Sequence, residues 1–274
     1  MCTPDKKCEN CAGTKKITAK KLKVLFVRLL ITNYKGVIEL RLITWNCKMA
    51  FHTKANDILT FSPDILIVPE CAKPEIVLKK SKENLPEYLW FGDNINKGIG
   101  IFGFNGYQLM LSDKYDEQYK WIVPIQVSGK ENFLLLAVWA CKYSEDKNAC
   151  YIEQVYKALE VYEDFLEKGN VIIAGDFNSN KIWDKDHKIG NHSEVVNLLS
   201  ENGIKSTYHE FFNEEQGKET QPTHYFWHRQ TKPFHIDYCF ASADWMERLG
   251  NVVVGKYEDW AQKSDHCPVM IDFK

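Results

Sequence analysis

From residue 40 onward, short runs of apolar residues alternate with stretches whose apolar positions have helical spacing. The apolar runs are rich in Val, Ile, Leu and Phe, which is typical of β-strands. Strands are predicted at residues 40–45, 64–68, 99–104, 121–127, 133–139, 171–174, 236–240, 252–254 and 269–273. The pattern therefore indicates a chain dominated by strands, with helices between them.

Two intervening segments have the spacing of amphipathic helices. Between residues 150 and 168 the apolar side chains fall on one helical face, and Gly169 follows as a stop signal. A second helix is expected to begin after Asn191, because Asn191 and Glu194 have the relation of a capping box. We find no repeat, low-complexity tract or long linker after residue 40, which favours one domain of α/β class over residues 40–274.

The first 39 residues differ from the rest and are interpreted as an N-terminal appendage that need not be ordered. They contain three cysteines, a cluster of lysines between residues 15 and 23, and no alternation that predicts a strand. Cys8 and Cys11 have the spacing of half a structural zinc site, which needs four ligands. Because no second pair of ligands lies nearby, we interpret these cysteines as incidental.

Composition and charge narrow the classes of protein that the chain can represent. Hydrophobic residues make up 45% and charged residues 26%, which argues against a disordered, collagenous or coiled-coil chain. Lys and Arg total 35 against 37 Asp and Glu, so any surface for nucleic acid must be a local patch. The apolar run at residues 24–31 is too short for a bilayer, which needs about 20 residues. The nine cysteines, several within apolar runs, favour reduced thiols and a cytoplasmic location.

Polar residues stand at the ends of several predicted strands, where a rigid sheet can present them to a shared cleft. They are the carboxylates, carboxamides and histidine of Glu70, Asp176, Asp237, Asp265, Asn46, Asn178 and His266. Mg²⁺ prefers oxygen ligands of this kind, completed by water and phosphate oxygens. The set also suits hydrolysis of a phosphate ester, in which a carboxylate activates water and a histidine stabilises developing charge.

Each of these residues also has a structural explanation when it is taken alone. Asp176 is compatible with an Asx-type turn, Glu70 with a solvated charge, and Asp237 with a buried carboxylate paired with any donor. Two further histidines, His192 and His209, are more simply explained as structural. The strand-end segments nevertheless occur in an order that one cleft can collect, and this combination favours a functional site.

The order of the strand-end motifs resembles the signature of the endonuclease/exonuclease/phosphatase superfamily, which has the DNase I-like fold. The motifs are Trp45-Asn46, Pro69-Glu70, Gly175-Asp176-Phe177-Asn178, Ile236-Asp237-Tyr238 and Ser264-Asp265-His266. The resemblance covers residues 40–274, and Gly-Asp-Phe-Asn and Ser-Asp-His are its most specific parts. It implies a four-layer α/β sandwich, with two mixed β-sheets face to face, helices outside, and the site at one edge of the sheets.

The resemblance also implies a metal site and a group that acts on water. Asn46, Glu70 and Asp265 resemble the residues that lie at a divalent metal, with Glu70 as the principal ligand. Mg²⁺ is the expected ion, and Mn²⁺ is expected to substitute for it. Asp176 resembles the residue that positions or deprotonates the attacking water, and Asn178 resembles the neighbour that hydrogen-bonds the scissile phosphate.

His266 and Asp237 resemble a pair that contacts the phosphate. His266 is the implied contact to a phosphate oxygen, and Asp237 is the carboxylate that orients the imidazole and sustains its positive charge. An opposing carboxylate raises the pKa of an imidazole, so His266 is expected to be protonated at neutral pH.

Two positions depart from the pattern of the superfamily. Nucleases of the abasic-site branch usually place an aspartate two residues after the asparagine, whereas this chain has Lys48. A lysine there is no metal ligand, so Lys48 is expected to meet phosphate or to pair with Glu70, and the number of metal ions stays open. Many members also carry Asn-x-His in the strand at residues 133–140, where this chain has neither residue type. Tyr143 or Lys142 is a candidate replacement.

Basic and aromatic residues supply the clues to the substrate. Lys181 and Trp183 follow the Gly-Asp-Phe-Asn motif and are candidates for a phosphate contact and a stacking face for a nucleobase. Trp227 belongs to an aromatic cluster at residues 224–228, which resembles a stretch that lines the nucleotide pocket of abasic-site endonucleases. Alternation along a strand would leave half of that cluster in the core.

The residues and the resemblance together predict a divalent-metal-dependent phosphodiester hydrolase, foremost a nuclease that cuts DNA or RNA by in-line attack of water. Two alternatives stay open: a phosphoinositide or sphingomyelin phosphohydrolase of the same superfamily, and a catalytically silent module that binds nucleic acid or protein. We find no basic amphipathic stretch for membrane docking, and no membrane partner is expected. The choice between DNA and RNA, the mode of cleavage and the oligomeric state stay open.

Overall fold

The computed structural model describes residues 37–76, 87–142, 150–185 and 190–274. The expectations for Cys8, Cys11 and Tyr143 concern residues outside these ranges. In chain order, the strands are β1 (Leu40–Thr44), β2 (Ile65–Cys71), β3 (Glu87–Asn94), β4 (Lys97–Gly103), β5 (Gln108–Leu111), β6 (Ile122–Ser128), β7 (Phe133–Trp139), β8 (Val171–Asp176), β9 (Lys205–Ser206), β10 (His224–Tyr225), β11 (Pro233–Phe234), β12 (Asp237–Ala241), β13 (Leu249–Val254) and β14 (Val269–Phe273).

Helices connect many of these strands. The α-helices that lie wholly within the described ranges are α1 (Ala55–Leu59), α2 (Ile152–Val161), α3 (Glu163–Leu166), α4 (His192–Glu201), α5 (Thr207–Phe212), α6 (Ala243–Glu247) and α7 (Tyr257–Trp260). Short 3₁₀ helices occur at Phe51–Thr53, Glu117–Tyr119, Lys181–Trp183 and Phe226–His228. No helix in the described part of the chain combines the length and apolar character that crossing a bilayer requires.

The long strands form two mixed sheets. The first has the order β13-β14-β1-β2-β4-β3, with β1 and β2 parallel and the other neighbours antiparallel. The second has the order β5-β6-β7-β8-β12-β9, with β7 and β8 parallel and the other neighbours antiparallel. Strands β10 and β11 pair separately as a two-stranded hairpin.

The two sheets pack face to face across one hydrophobic core. Alternate residues of each strand point to opposite faces of its sheet, so one set of side chains is available to each layer. Leu42 and Ile67 from the first sheet share a buried cluster with Leu135 and Ile172 from the second. These four side chains are fully buried, and burial of this kind is the main stabilising contribution to the sandwich.

The opposite faces of the sheets are covered by helices. On the first sheet, Ile43 packs in a cluster with Ile58 of α1 and Trp260 of α7. On the second sheet, Ile173 packs in a cluster that includes residues of α2 and α4. The order helix, sheet, sheet, helix confirms the predicted four-layer sandwich.

The structure also corrects details of the predicted elements. Strands β3 and β5 lie at sheet edges and were not predicted, although each contains a short apolar run, at residues 88–91 and 109–111. The helix predicted over residues 150–168 is interrupted at Tyr162, whose φ and ψ of −97° and 19° are not helical. The Tyr162 hydroxyl contacts the backbone of Asp116 and Ile122 from the neighbouring segments. The predicted capping box at Asn191 and Glu194 is confirmed.

Candidate active site

A β-bulge in β2 positions Glu70. The register between β2 and β4 shifts between Pro69 and Cys71, and Glu70 has a φ of 59° at that point. Bulges re-aim a side chain relative to its neighbours in the strand, and the Glu70 side chain lines a cleft instead of continuing the sheet face. Its carboxylate is 3.3 Å from the Lys97 ammonium.

Asn46 follows β1 and links the two sheets. Its side chain is buried, and Nδ2 donates to Oδ2 of Asp176 at 2.9 Å. Oδ1 of Asn46 accepts from the backbone N–H of Lys48 at 3.0 Å, and the backbone carbonyl accepts from the Ser264 hydroxyl at 2.7 Å. Three segments that are remote in sequence are therefore tied together at this residue.

Asp176 and Asp237 are brought together by strand pairing. They occupy partner positions in the antiparallel pair β8 and β12, and both are fully buried. Asp176 accepts hydrogen bonds from the backbone N–H of Asn178 at 2.9 Å and from its Nδ2 at 3.1 Å. Burial and the nearby Asp237 charge raise the pKa of Asp176 to about 7, although His266 and the hydrogen bonds from Asn46 and Asn178 act in the opposite direction.

Steric crowding explains why the Gly-Asp-Phe-Asn motif begins with glycine, Gly175. A Cβ atom on Gly175 would lie 1.8 Å from the backbone oxygen of Val138 in β7. Only glycine permits this close approach, which fixes β7 against β8 immediately before Asp176. Asn178, in the left-handed region with a φ of 46°, then turns the chain and donates from Nδ2 to the Ala140 carbonyl at 2.9 Å.

His266 forms a buried ion pair with Asp237. Nδ1 of His266 is 2.9 Å from Oδ2 of Asp237, and the His266 backbone N–H donates to the Ser264 hydroxyl at 3.0 Å. Burial lowers the pKa of His266, but the charges of Asp237 and Asp176 outweigh burial and raise it to about 9. The imidazole is therefore protonated at neutral pH and has Nε2–H available as a second donor.

The residues that reach the surface line one cleft of about 900 Å³. Its lining includes Asn46, Lys48, Glu70, Tyr151, Asn178, Trp183, His224, Phe226, Trp227, Phe234, Asp265 and His266. Ligand atoms of Asp176, Asp237 and His266 also lie within 4.8 Å of one another, which places the two buried carboxylates directly behind His266.

The structure pairs Lys48 differently from the sequence-based expectation. The Lys48 ammonium lies 2.6 Å from Oδ2 of Asp265, whereas Glu70 pairs with Lys97. The expectation that Lys48 pairs with Glu70 is therefore wrong, because the loop after β1 directs its side chain towards Asp265. Burial raises the pKa of Asp265, but the Lys48 hydrogen bond and the surrounding positive charges hold it below its usual range.

The candidate substrate residues are divided between the cleft and its surroundings. Trp183 and Trp227 line the cleft, with 46% and 63% of their surfaces exposed. Lys181 lies in the same 3₁₀ helix as Trp183 but is not among the residues that line the cleft. Lys142 is exposed and is likewise absent from the lining, so its proposed substitution for the missing Asn-x-His pair has no support.

Several residues of the cleft wall were not singled out from the sequence, among them Phe234 and His224. Phe234 packs against Trp183 at a ring separation of 4.9 Å, and His224 packs against His266 at 4.4 Å. His224 lay within the aromatic cluster that was recognised at residues 224–228, but Phe234 carried no separate signal. Burial and the positive charge of His266 lower the pKa of His224 to about 4, so this imidazole is neutral at neutral pH.

His192 and His209 belong to a polar network behind the cleft, in agreement with their predicted structural role. His209 is hydrogen-bonded to Glu219 at 3.0 Å, and His192 to Gln216 at 3.0 Å. Glu219 also accepts from Nδ2 of Asn180, two residues after Asn178, at 3.0 Å. The network therefore supports the loop that carries Asn178.

The oxygen donors of the cleft fit a hard divalent cation. The carboxylates of Glu70 and Asp265 and the amide oxygen of Asn46 belong to residues that line the same cleft. Such donors suit Mg²⁺, which keeps several water ligands and needs only one or two protein carboxylates. His266 does not suit this role, because both ring nitrogens of the protonated imidazole carry a hydrogen and offer no lone pair to a cation.

The two mixed sheets and the cleft at their edge define a protein of the DNase I-like class. A model of the Endonuclease/Exonuclease/phosphatase family matches residues 43–266, and the chain therefore belongs to this family. Its members are hydrolases that act on phosphodiester bonds and generally depend on a divalent metal. A search of curated proteins found no match.

Solved structures support the same fold. The chain resembles the endonuclease domain of TRAS1, a telomere-specific non-LTR retrotransposon, at 15% identity and a TM-score of 0.61, over 86% of this chain and 98% of that one. It also resembles a 3′-5′ exonuclease from Neisseria meningitidis, at 19% identity and a TM-score of 0.60, over 86% of this chain and 100% of that one. A third similar structure is an AP endonuclease from Archaeoglobus fulgidus, at 16% identity and a TM-score of 0.61, over 86% of this chain and 99% of that one.

Proposed function

We propose that the chain is a nuclease that hydrolyses phosphodiester bonds of DNA or RNA by in-line attack of water, with Mg²⁺ as cofactor and Mn²⁺ as a substitute. The observation that carries this proposal is the convergence of Asp176, Asp237 and His266 within 4.8 Å, beside a cleft that contains Glu70 and Asn46. This arrangement combines a base, a charged hydrogen-bond donor and oxygen ligands around a single space large enough for a phosphate.

Glu70 and Asn46 are the residues that would hold the cation, with Glu70 as the principal ligand, and Asp265 is the acidic residue near it, already paired with Lys48. When bound, the cation supplies positive charge that neutralises phosphoryl oxygens. The left-handed bulge at Glu70 and the hydrogen bonds to Asn46 fix both side chains before any ligand arrives. Preorganisation of this kind reduces the cost of binding.

Asp176 positions the attacking water and accepts its proton. Asn46 and Asn178 fix the carboxylate by hydrogen bonds at 2.9 and 3.1 Å, and its pKa of about 7 lies close to neutral pH. A general base is most effective when its pKa lies near the working pH. Asn178 lines the cleft, and we assign it a hydrogen bond to the scissile phosphate, for which one Nδ2–H must leave Asp176 or the Ala140 carbonyl when substrate binds.

His266 stabilises the negative charge that develops on the phosphate. Asp237 holds the ring through Nδ1, so the Nε2–H donor is free to contact a phosphate oxygen. Because the pair is buried, its charge is poorly screened by solvent, and its orientation requires no rearrangement during the reaction.

Aromatic and basic residues on the cleft wall favour a nucleic acid over a lipid headgroup. The rings of Phe226 and Trp227 stack at 4.6 Å, and the Lys232 ammonium lies 5.2 Å from the Trp227 ring. Exposed rings with nearby cations provide stacking faces for bases and contacts for phosphates. We assign Trp183 and Trp227 to base stacking and Lys181 to a phosphate of the flanking strand.

We place this activity in residues 40–274, with residues 1–39 as an appendage, and we place the protein in the cytoplasm. The thiols of Cys47, Cys71, Cys239 and Cys267 are free and buried. Unpaired thiols of this kind suit a reducing compartment.

The test is a panel of substrates incubated with Mg²⁺ or Mn²⁺: single- and double-stranded DNA, abasic DNA, RNA and inositol phosphates. We expect polynucleotide cleavage that EDTA abolishes, and a loss of at least about 10²-fold in Asp176→Asn and His266→Gln. Asp272→Asn is the matched control, because it removes a buried carboxylate that pairs with Arg41 at 2.7 Å outside the cleft. Activity confined to inositol phosphates would refute the substrate, and full activity of Asp176→Asn would refute the mechanism.

A further inference from the structure

The loop that follows β1 holds Lys48 in an unusual backbone conformation. Lys48, Met49 and Ala50 have φ values of 50°, 65° and 48°, three consecutive non-glycine residues in the left-handed region. Each such residue is conformationally costly and persists only when its surroundings require it. Here the Lys48 backbone N–H donates to Asn46, and the Lys54 ammonium donates to the Cys47 carbonyl at 2.7 Å. The loop therefore delivers one particular side chain, that of Lys48, to the cleft.

The Lys48 ammonium is held by two partners. It donates to Oδ2 of Asp265 at 2.6 Å and contacts Nε2 of His228 at 2.9 Å. Nδ1 of His228 lies 3.1 Å from the Ala261 carbonyl, which can only accept, so Nδ1 carries the proton and Nε2 accepts from Lys48. Two of the three ammonium N–H groups are thus engaged, and the third remains available to a ligand in the cleft.

The contact with Asp265 occupies a place where a second metal ion would bind. Ligand atoms of Asp265 and of the neutral His224 lie within 4.8 Å of each other, a spacing that could hold an ion. A Mg²⁺ ion bound to Asp265 would lie about 2.1 Å from a carboxylate oxygen. The ammonium is already 2.6 Å from Oδ2, so the two positive charges would repel each other strongly at this oxygen.

We propose that Lys48 is a fixed positive charge that takes the place of a second divalent cation, so that the cleft binds one cation, on the Glu70 side. The free N–H of the ammonium contacts a non-bridging oxygen of the substrate phosphate, next to His266. This inference rests on the proposed function and specifies how the same site carries its charge.

The test counts Mn²⁺ ions bound to the metal-free protein by electron paramagnetic resonance and by calorimetry. We expect one Mn²⁺ per chain in the wild type. Lys48→Met keeps the length of the side chain and removes its charge, so we expect a second, weaker Mn²⁺ site. Adding Asp265→Asn to Lys48→Met should remove that second site. Lys97→Met, which removes the ammonium beside Glu70, is the matched control and should leave the number at one.

Two bound ions in the wild type, or a single ion in Lys48→Met, would overturn the assignment of Lys48. If the wild type with two ions still cleaves polynucleotide, only this inference fails and the proposed function stands. If neither protein binds Mn²⁺, both fail.

A second readout is the rate of polynucleotide cleavage by Lys48→Met, measured at a Mn²⁺ concentration that saturates the cation site beside Glu70. We expect kcat to fall by about 10²-fold, the scale for loss of one charge-stabilising donor, and Lys48→Arg to recover part of the loss. An unchanged kcat in Lys48→Met would overturn the phosphate contact. Thermal unfolding of each variant establishes that it is folded before the ions are counted.

Discussion

Asp237 is the carboxylate that raises the pKa of His266 most, and Asp237→Asn removes its charge while keeping the side-chain volume. In the wild type, Oδ2 of Asp237 lies 2.9 Å from Nδ1 of His266, and the pKa of His266 is raised to about 9. Burial alone lowers the pKa of an imidazole, because it penalises the charged form. We therefore expect the pKa of His266 in Asp237→Asn to fall towards its ordinary value of 6.5.

The size of the effect follows from these two values. At about pH 8, a pKa of about 9 leaves roughly nine-tenths of His266 protonated, whereas a pKa of 6.5 leaves about 3%. Loss of protonated imidazole alone should therefore reduce cleavage about 30-fold at that pH. At about pH 5, His266 is protonated in both the wild type and Asp237→Asn. The difference in cleavage rate should then narrow to the effect of the changed hydrogen bond.

The raised pKa of His266 also means that its ion pair with Asp237 stabilises the folded protein in a pH-dependent way. Because the folded-state pKa lies above the unfolded value, the pair stabilises the fold fully below pH 6.5, and this contribution is lost as the pH rises through about 9. The difference between these two pKa values corresponds to a contribution of about 3 kcal/mol to the free energy of unfolding at low pH. Asp237→Asn should therefore destabilise the protein more in acid than in alkaline buffer.

The assay is an NMR titration of the His266 ring, assigned by its absence in His266→Gln, with denaturant unfolding at several pH values. Asp272→Asn serves as the control, since it also loses a buried carboxylate but lies outside the cleft. The reasoning is refuted if the His266 pKa in Asp237→Asn stays above about 8, or if Asp272→Asn lowers it equally.

Three further changes test separate parts of the structure. Lys97→Met should tighten Mg²⁺ binding about two- to five-fold in calorimetry, the range of one partly exposed ion pair, and weaker binding would contradict the contact with Glu70. Gly175→Ala should lower the stability by at least about 3 kcal/mol in thermal unfolding, because its Cβ would overlap the Val138 carbonyl, and an unchanged midpoint would argue against this packing. Trp227→Ala should weaken binding of single-stranded oligonucleotide by about 1–3 kcal/mol in fluorescence anisotropy while leaving the melting temperature unchanged, and unaltered affinity would exclude base stacking there.

The central strands could be predicted because each combines high apolar content with strand length. Strands β7 and β14 have the predicted bounds. The edge strands β3 and β5 were not predicted, since a short apolar run does not by itself distinguish a partly exposed strand from other local structure. The break of the helix at Tyr162 depends on partners about forty residues away in the chain, which local periodicity does not contain.

Part of the membership of the candidate site was predictable, whereas the pairing of its residues was not. Asp176 and Asp237 could be identified because each lies at a strand end, but their direct opposition depends on the register of β8 and β12. The partner of Lys48 was mispredicted because Asp265 is 217 positions away in the sequence. The left-handed bulge at Glu70 gave no sequence signal, because it arises from the pairing of β2 with β4.

In the proposed reaction, water attacks phosphorus directly, with Asp176 and His266 acting at one phosphate. Cleavage of an oligonucleotide that contains a single chiral phosphorothioate, carried out in ¹⁸O-water, measures this step through the configuration of the product. We expect inversion at phosphorus, with ¹⁸O incorporated into the product phosphate. Retention of configuration would reveal a covalent intermediate and contradict direct attack by water.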